Sequence, residues 1–149
     1  MRLTVYTDFS LRVLMYLALH RERRPTIAEI AASYGVSRNH LMKVVHQLGV
    51  GGYVASARGK AGGLRLAREP ADIGVGEVVR RTEPDMALVP CLDRAGGSCV
   101  IAPACRLRSV LDEARCAFLQ ALDRYSIADL VADPAPLNLL LEQGRSGKA

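Results

Sequence analysis

The stretch TIAEIAASYGVSRNHLMKVVHQL, residues 26–48, decides the fold. Thr26 followed by Glu29 makes a capping-box pair, in which each side chain satisfies a backbone N–H that a helix start leaves unpaired. Gly35 is placed to end this first helix, because glycine takes the left-handed cap conformation without a Cβ penalty. Ser37 can cap a second helix over RNHLMKVVHQL, where Leu41, Val44, Val45 and Leu48 recur at the spacing of one buried stripe. Two short helices meeting across a glycine turn form a helix-turn-helix.

Upstream, DFSLRVLMYLALH (8–20) places Phe9, Val13, Tyr16 and Leu17 at helical spacing, with Asp8 and Arg12 together on another side. The basic loop RERRP (21–25) ends that helix. Downstream of Gly49, Gly51 and Gly52, two strand-like pieces, Tyr53–Ala57 and Leu64–Ala67, flank the glycine-rich basic linker RGKAGG (58–63). That pattern predicts a hairpin with a long tip. Three helices and a basic hairpin make a winged helix, expected to occupy residues 1–70.

Residues 71–105 are expected to hold a short connecting helix around Val75–Arg81 and then an irregular loop, EPDMALVPCLDRAGGSCVIAPAC (83–105). From Cys105 to about Tyr125, Leu107, Leu111, Ala114, Phe118 and Ala121 follow a heptad-like spacing, widened by Val110 and Leu122. This predicts a helix of about 20 residues, roughly 30 Å long. Nothing else in the chain is large enough to cover it, so a second subunit is expected to. Ser126–Ala132 and Pro136–Glu142 read as two further helical turns, completing a dimerisation region at 105–142, with 143–149 a flexible tail. The expected fold class is mainly α with a small β-hairpin wing.

Charge follows the same division. Residues 1–70 hold 11 Lys/Arg against 4 Asp/Glu, whereas residues 71–149 hold 9 against 11. A basic front half suits a polyanion. The solvent face of the second motif helix presents Arg38, Asn39, Lys43 and His46 beside Ser37, residue types that read base edges or meet phosphates in a major groove. Arg58 and Lys60 in the hairpin tip suit the DNA backbone or the minor groove. Aromatic residues are only 5% of the chain, which argues against stacking on single strands.

Of 149 residues, 50% are hydrophobic and 23% charged, an ordinary globular balance that excludes wholesale disorder. No apolar run reaches the roughly 20 residues of a membrane span, and no signal-peptide pattern is present, so the expected location is cytoplasmic. The four cysteines are then expected to be thiols. Cys116 lies within the long helix and reads as a small buried hydrophobe. Cys91, Cys99 and Cys105, spaced C-x7-C-x5-C among Pro90, Gly96, Gly97 and Pro103, form a metal or iron–sulfur signal. The absence of any CxxC pair argues against a zinc ribbon and a thioredoxin-type thiol couple. By chemistry alone an iron–sulfur cluster, zinc, or three unrelated thiols remain open.

Taken in order, TDFSLRVLMYLAL (7–19), TIAEIAASYGVSRNHLMKVVHQLGVGGYV (26–54), RGKAGGLRL (58–66), EPDMALVPC (83–91) and IAPACRL (101–107) resemble the NsrR/IscR family of bacterial winged-helix iron–sulfur regulators. The resemblance runs over roughly residues 1–132. It implies a homodimer whose long helices cross between subunits, with one 4Fe–4S cluster per subunit. Cys91, Cys99 and Cys105 match the three cluster cysteines. Asp8, supplied by the partner subunit's first helix, matches the carboxylate that serves as fourth ligand, and Arg12 matches its neighbour, the coupling residue. Arg108 stands where the IscR branch has a histidine, which argues against that branch. The implied function is a nitric-oxide-responsive repressor, not an enzyme, which holds a pseudo-palindromic operator in double-stranded DNA while its cluster is intact and releases it on nitrosylation. The alternatives are a redox or iron-supply sensor of the same fold with a 2Fe–2S cluster, a zinc-stabilised DNA-binding protein and, more remotely, a thiol oxidoreductase.

Overall fold

The computed structural model describes residues 2–57, 59, 62–93 and 99–146. Helix α1 (Val5–Leu19) begins three residues before the expected Asp8, because Thr4 caps it: the Thr4 hydroxyl accepts from the Thr7 backbone N–H at 3.2 Å. Helix α2 (Ile27–Tyr34) opens on the expected capping box, with Thr26 N–H donating to Glu29 at 2.6 Å and Glu29 N–H donating to the Thr26 hydroxyl at 3.2 Å. Gly35 closes it in the left-handed conformation, φ 65°. Helix α3 (Arg38–Val50) follows. Ser37 occupies its N-cap position, but its exposed hydroxyl makes no capping hydrogen bond, which corrects the side-chain cap expected there.

Strands β1 (Val54–Ala57) and β2 (Gly63–Leu66) pair antiparallel, with Val54 opposite Leu66 and Ala57 opposite Gly63. This is the wing. A 3-10 turn at Pro70–Asp72 leads to helix α4 (Val75–Thr82). After 3-10 turns at Pro90–Leu92 and Ala102–Ala104 comes the long helix α5 (Arg106–Asp123), then α6 (Ile127–Leu130), capped by Ser126 and Asp129, and α7 (Pro134–Ser146). Helix α7 thus continues past Glu142, where the sequence reading ended it.

One core joins these elements. Val13, Leu14 and Leu17 of α1 meet Ile30 of α2, Leu41, Val44 and Leu48 of α3, and Val54 and Leu64 of the wing, all buried. Full burial of each such side chain is worth about 1.5–3 kcal/mol. The α3 stripe predicted from spacing is therefore the face that α3 presents to α1 and α2. Ile73, Val78 and Ile127 extend the same core, so α4 and α6 pack on the winged helix instead of forming a second one. The buried Thr7 hydroxyl donates to the Thr82 hydroxyl at 2.8 Å, and Thr4 N–H donates to Glu83 at 2.8 Å, tying the start of α1 to the end of α4. Helix α7 lies along α2, and Gly144 permits the approach: a Cβ there would collide with the Ser33 carbonyl oxygen.

Helix α5 stands apart. It packs on α4, anchored by bidentate pairing of Arg80 with Asp123 at 2.6 Å, and Leu119 is its only buried residue. Leu119 lies beside the heptad-like stripe, not on it. Of the stripe, Leu107 and Val110 are exposed and Leu111, Phe118, Ala121 and Leu122 only half-buried. Within one chain the described residues cover the predicted apolar stripe only in part. No helix among the described residues is long and apolar enough to cross a membrane.

Candidate nucleic-acid interface and cysteine loop

Helix α3 turns Leu41, Val44, Val45 and Leu48 inward, which leaves Arg38, Asn39, Lys43 and His46 together on the opposite, exposed face, next to Ser37. The helix contains no acidic residue. Six arginines elsewhere are paired with carboxylates (Arg12, Arg21, Arg23, Arg68, Arg80 and Arg115), whereas none of the α3 cations has such a partner among the described residues. Unpaired cations on a rigid, exposed helix keep their charge and their donors available to a ligand. The wing stands beside this face, since β1 packs against α3. Arg58 and Lys60 at its tip lie outside the described residues.

The wing is braced from behind. Arg68 donates to Glu77 at 2.8 Å and lies over the Tyr53 ring at 5.7 Å, while the Tyr53 hydroxyl donates to the same Glu77 oxygen at 2.8 Å. The Arg68 hydrogen bond holds the Glu77 carboxyl below its ordinary range, and burial, with the bond to Glu77, pushes the Tyr53 phenol up to about 12. At the pH of a cell the carboxylate is charged, the phenol protonated, and the brace intact.

Cys91, Cys99, Cys105 and Cys116 are all free thiols. Cys91 and Cys105 are half-buried and Cys99 is exposed. The turn carrying Cys91 packs against α5, and Cys105 sits at the N-cap of α5 without a side-chain hydrogen bond, so both ends of the loop are fastened to one helix. The first turn of α5 has no acidic residue but holds Arg106 and Arg108, so no carboxylate of that turn stands against the Cys105 sulfur. The donor chemistry fits an iron–sulfur group: three thiols with no other bonding role among the described residues. Among those residues, however, no three His, Cys, Asp or Glu side chains converge as a finished metal site. Residues 94–98, between Cys91 and Cys99, lie outside the description. Cys116 is half-buried, not fully buried as expected, with its sulfur 3.8 Å from the Arg115 guanidinium.

Among the described residues Asp8 joins no group of metal-ligating side chains. It sits on the first turn of α1, half-exposed, accepting from Arg12 Nε at 2.9 Å. The Arg12 guanidinium also lies 5.6 Å from the centre of the Tyr34 ring, and the Tyr34 hydroxyl donates to the Arg12 carbonyl at 3.2 Å. Burial pushes the Tyr34 phenol up to about 12, so it stays a donor. Tyr34 is the last residue of α2, immediately before the Gly35 turn. A continuous contact path therefore runs from Asp8 through Arg12 and Tyr34 to the helix-turn-helix. Sequence reasoning missed Tyr34, because its register on α2 says only that an aromatic ring lies near the end of a helix.

Comparison with known proteins gives a consistent result. The Rrf2 family, described as iron-dependent transcriptional regulators, matches residues 3–133. The chain is 49% identical to the HTH-type transcriptional regulator NsrR of Geobacillus kaustophilus over 146 residues, covering 97% of this chain and 99% of that protein. It is also 49% identical to NsrR of Bacillus subtilis over 143 residues, covering 95% and 98%. Among solved structures it resembles CymR, the global cysteine regulator of B. subtilis, with a TM-score of 0.72, 26% identity and coverage of 89% and 97%. T. potens IscR is similar at the same TM-score and identity, with coverage of 89% and 88%.

Proposed function

We propose a function from this premise: the chain belongs to the Rrf2 family of iron-dependent transcriptional regulators. It is a transcriptional regulator and not an enzyme. Its specific role is that of a cytoplasmic, nitric-oxide-responsive repressor that holds operator DNA as a homodimer. The observation that carries the DNA-binding part is the α3 face, where Arg38, Asn39, Lys43 and His46 stand exposed and unneutralised beside the wing. In a dimer two such faces would address half-sites about one helical turn apart, so the operator is pseudo-palindromic. The partly uncovered stripe of α5 supports the dimer.

Cys91, Cys99 and Cys105 would hold a 4Fe–4S cluster, one per subunit, with Asp8 of the partner subunit as the fourth ligand. When bound, such a cluster supplies iron that reacts with nitric oxide, most readily where its ligand is a hard carboxylate among soft thiolates. The chain's own residues carry the response. In the single chain Asp8 holds the Arg12 guanidinium at 2.9 Å. An Asp8 engaged elsewhere frees Arg12, whose remaining contacts are to Tyr34 at the edge of the motif turn. The position of α3 then depends on whether Asp8 is engaged, which is the differential contact that a two-state switch requires.

Anaerobically purified protein tests this reading through its visible spectrum and its binding to its own promoter region. Cys91→Ala, Cys99→Ala and Cys105→Ala should each bleach the spectrum, and Cys116→Ala should leave it intact. Asp8→Ala should keep colour but weaken the release of DNA by nitric oxide. A colourless wild-type protein that binds zinc, or a spectrum lost only with Cys116, overturns the assignment.

A further inference from the structure

The outer face of the wing carries a hollow that the sequence reading did not include. The register sets Ala55 opposite Arg65 and Ala57 opposite Gly63, so these four residues share one face of the hairpin, while Val54 and Leu64 are buried on the other. A hollow of about 140 Å³ opens on this outer face, lined by Arg24, Ala55, Ser56, Ala57, Gly63 and Arg65. Arg24 is brought there from the loop between α1 and α2 by two contacts. Leu64 N–H donates to the Pro25 carbonyl at 2.9 Å, and Gly63 sits so close to the Arg24 carbonyl that any Cβ would collide with it.

The charge arrangement is unusual for this loop. Arg21 and Arg23 are neutralised by Glu69 and Glu29, yet Arg24 and Arg65 are exposed and have no carboxylate partner among the described residues. No acidic residue lines the hollow. Two free guanidiniums above a floor of Ala55, Ala57 and Gly63 match a compact oxyanion that accepts several hydrogen bonds. The hollow lies toward the tip of the wing, at the last strand pair Ala57–Gly63, and the wing packs against α3, so an oxyanion held there would lie on the element that flanks the groove α3 enters.

We infer that this hollow seats a backbone phosphate of the bound DNA, gripped by Arg24 and Arg65. The inference rests on the DNA-binding reading above and adds two residues to its interface. Because a phosphate carries no sequence information, the seat strengthens binding to every duplex equally and leaves base discrimination to α3.

Fluorescence anisotropy of the full-length holoprotein tests it, with labelled duplexes of its own promoter region and of scrambled sequence across a salt series. Arg24→Ala and Arg65→Ala should each weaken both duplexes by a similar factor. Each should also lower the log–log salt slope by about 1, the loss of one phosphate contact. Arg65→Lys should recover much of the loss. Arg145→Ala, which removes an arginine of α7 that does not line the hollow, should change neither quantity, which excludes net charge as the cause. Circular dichroism melting checks that each variant is folded, and Arg65→Lys supplies the comparison should Arg65→Ala prove unstable. A steep slope in wild type that both alanine variants retain overturns the phosphate seat and leaves the DNA-binding reading standing. A wild-type protein with no salt-dependent binding overturns that reading, and the seat with it. If inorganic phosphate at constant ionic strength stabilises wild type but neither variant, while DNA binding is unaltered, the hollow serves a free anion and the assignment to DNA is wrong.

Discussion

Replacing Leu107 and Val110 together with alanine should separate the proposed dimer without disturbing the subunit. In the single chain these side chains are 62% and 51% exposed, so their loss removes little from the core of the subunit itself. What remains exposed is roughly half of each side chain, and burying it against a partner is worth about 1 kcal/mol apiece. A twofold interface uses each residue twice. The double variant should therefore lose about 4 kcal/mol of association energy, close to a thousandfold in the dimer dissociation constant. Sedimentation equilibrium across a wide concentration range measures that constant directly, and thermal melting at low concentration verifies that the monomer is intact. A dissociation constant unchanged within a factor of a few, in a variant that is still folded, would refute the argument that this stripe is the dimer face.

Two further outcomes follow from the geometry. Gly63→Ala should destabilise the chain by about 2 kcal/mol or more, because the residue takes a φ of 153° and its Cβ would overlap the Arg24 carbonyl; calorimetric melting with Gly52→Ala, at φ 76° but with open space around it, separates the collision from the backbone conformation. His20 is held below its ordinary pKa first by burial and then by Arg23, so the unfolded chain binds a proton that the folded chain resists. Its contribution is full above the unfolded value near 6.5 and is lost as the pH falls through that value toward the lower folded pKa. Urea titrations at pH 7.5 and 5.5 should show the loss, and His20→Gln should flatten it; an equal loss in the variant would assign the effect to other groups.

The parts of this protein that could be read from sequence are those whose partners lie within one helical turn. The Thr26–Glu29 capping box, the Gly35 turn, the buried stripe of α3 and the proximity of Asp8 to Arg12 all depend on residues three or four apart. Helix geometry alone brings such residues together. The proposal for the three loop cysteines rests on a different property, the softness of sulfur, which residue type announces without any fold. Even local reasoning failed at two helix starts: α1 starts at Val5 under a Thr4 cap, not at Asp8, and Ser37 stands at its cap position without bonding.

Only the tertiary structure decided the rest. Tyr34 meets Arg12 across 22 residues, Arg24 meets Gly63 on the outer face of the wing, and α7 lies on α2 because Gly144 fits against the Ser33 carbonyl. Leu119, and not the heptad-like stripe, became the buried residue of α5, since its main neighbour among the described residues is α4. Periodicity shows that a helix has an apolar face. Which face is covered depends on the angle at which distant elements dock, and that angle is set by packing summed over the whole core, which no local spacing records.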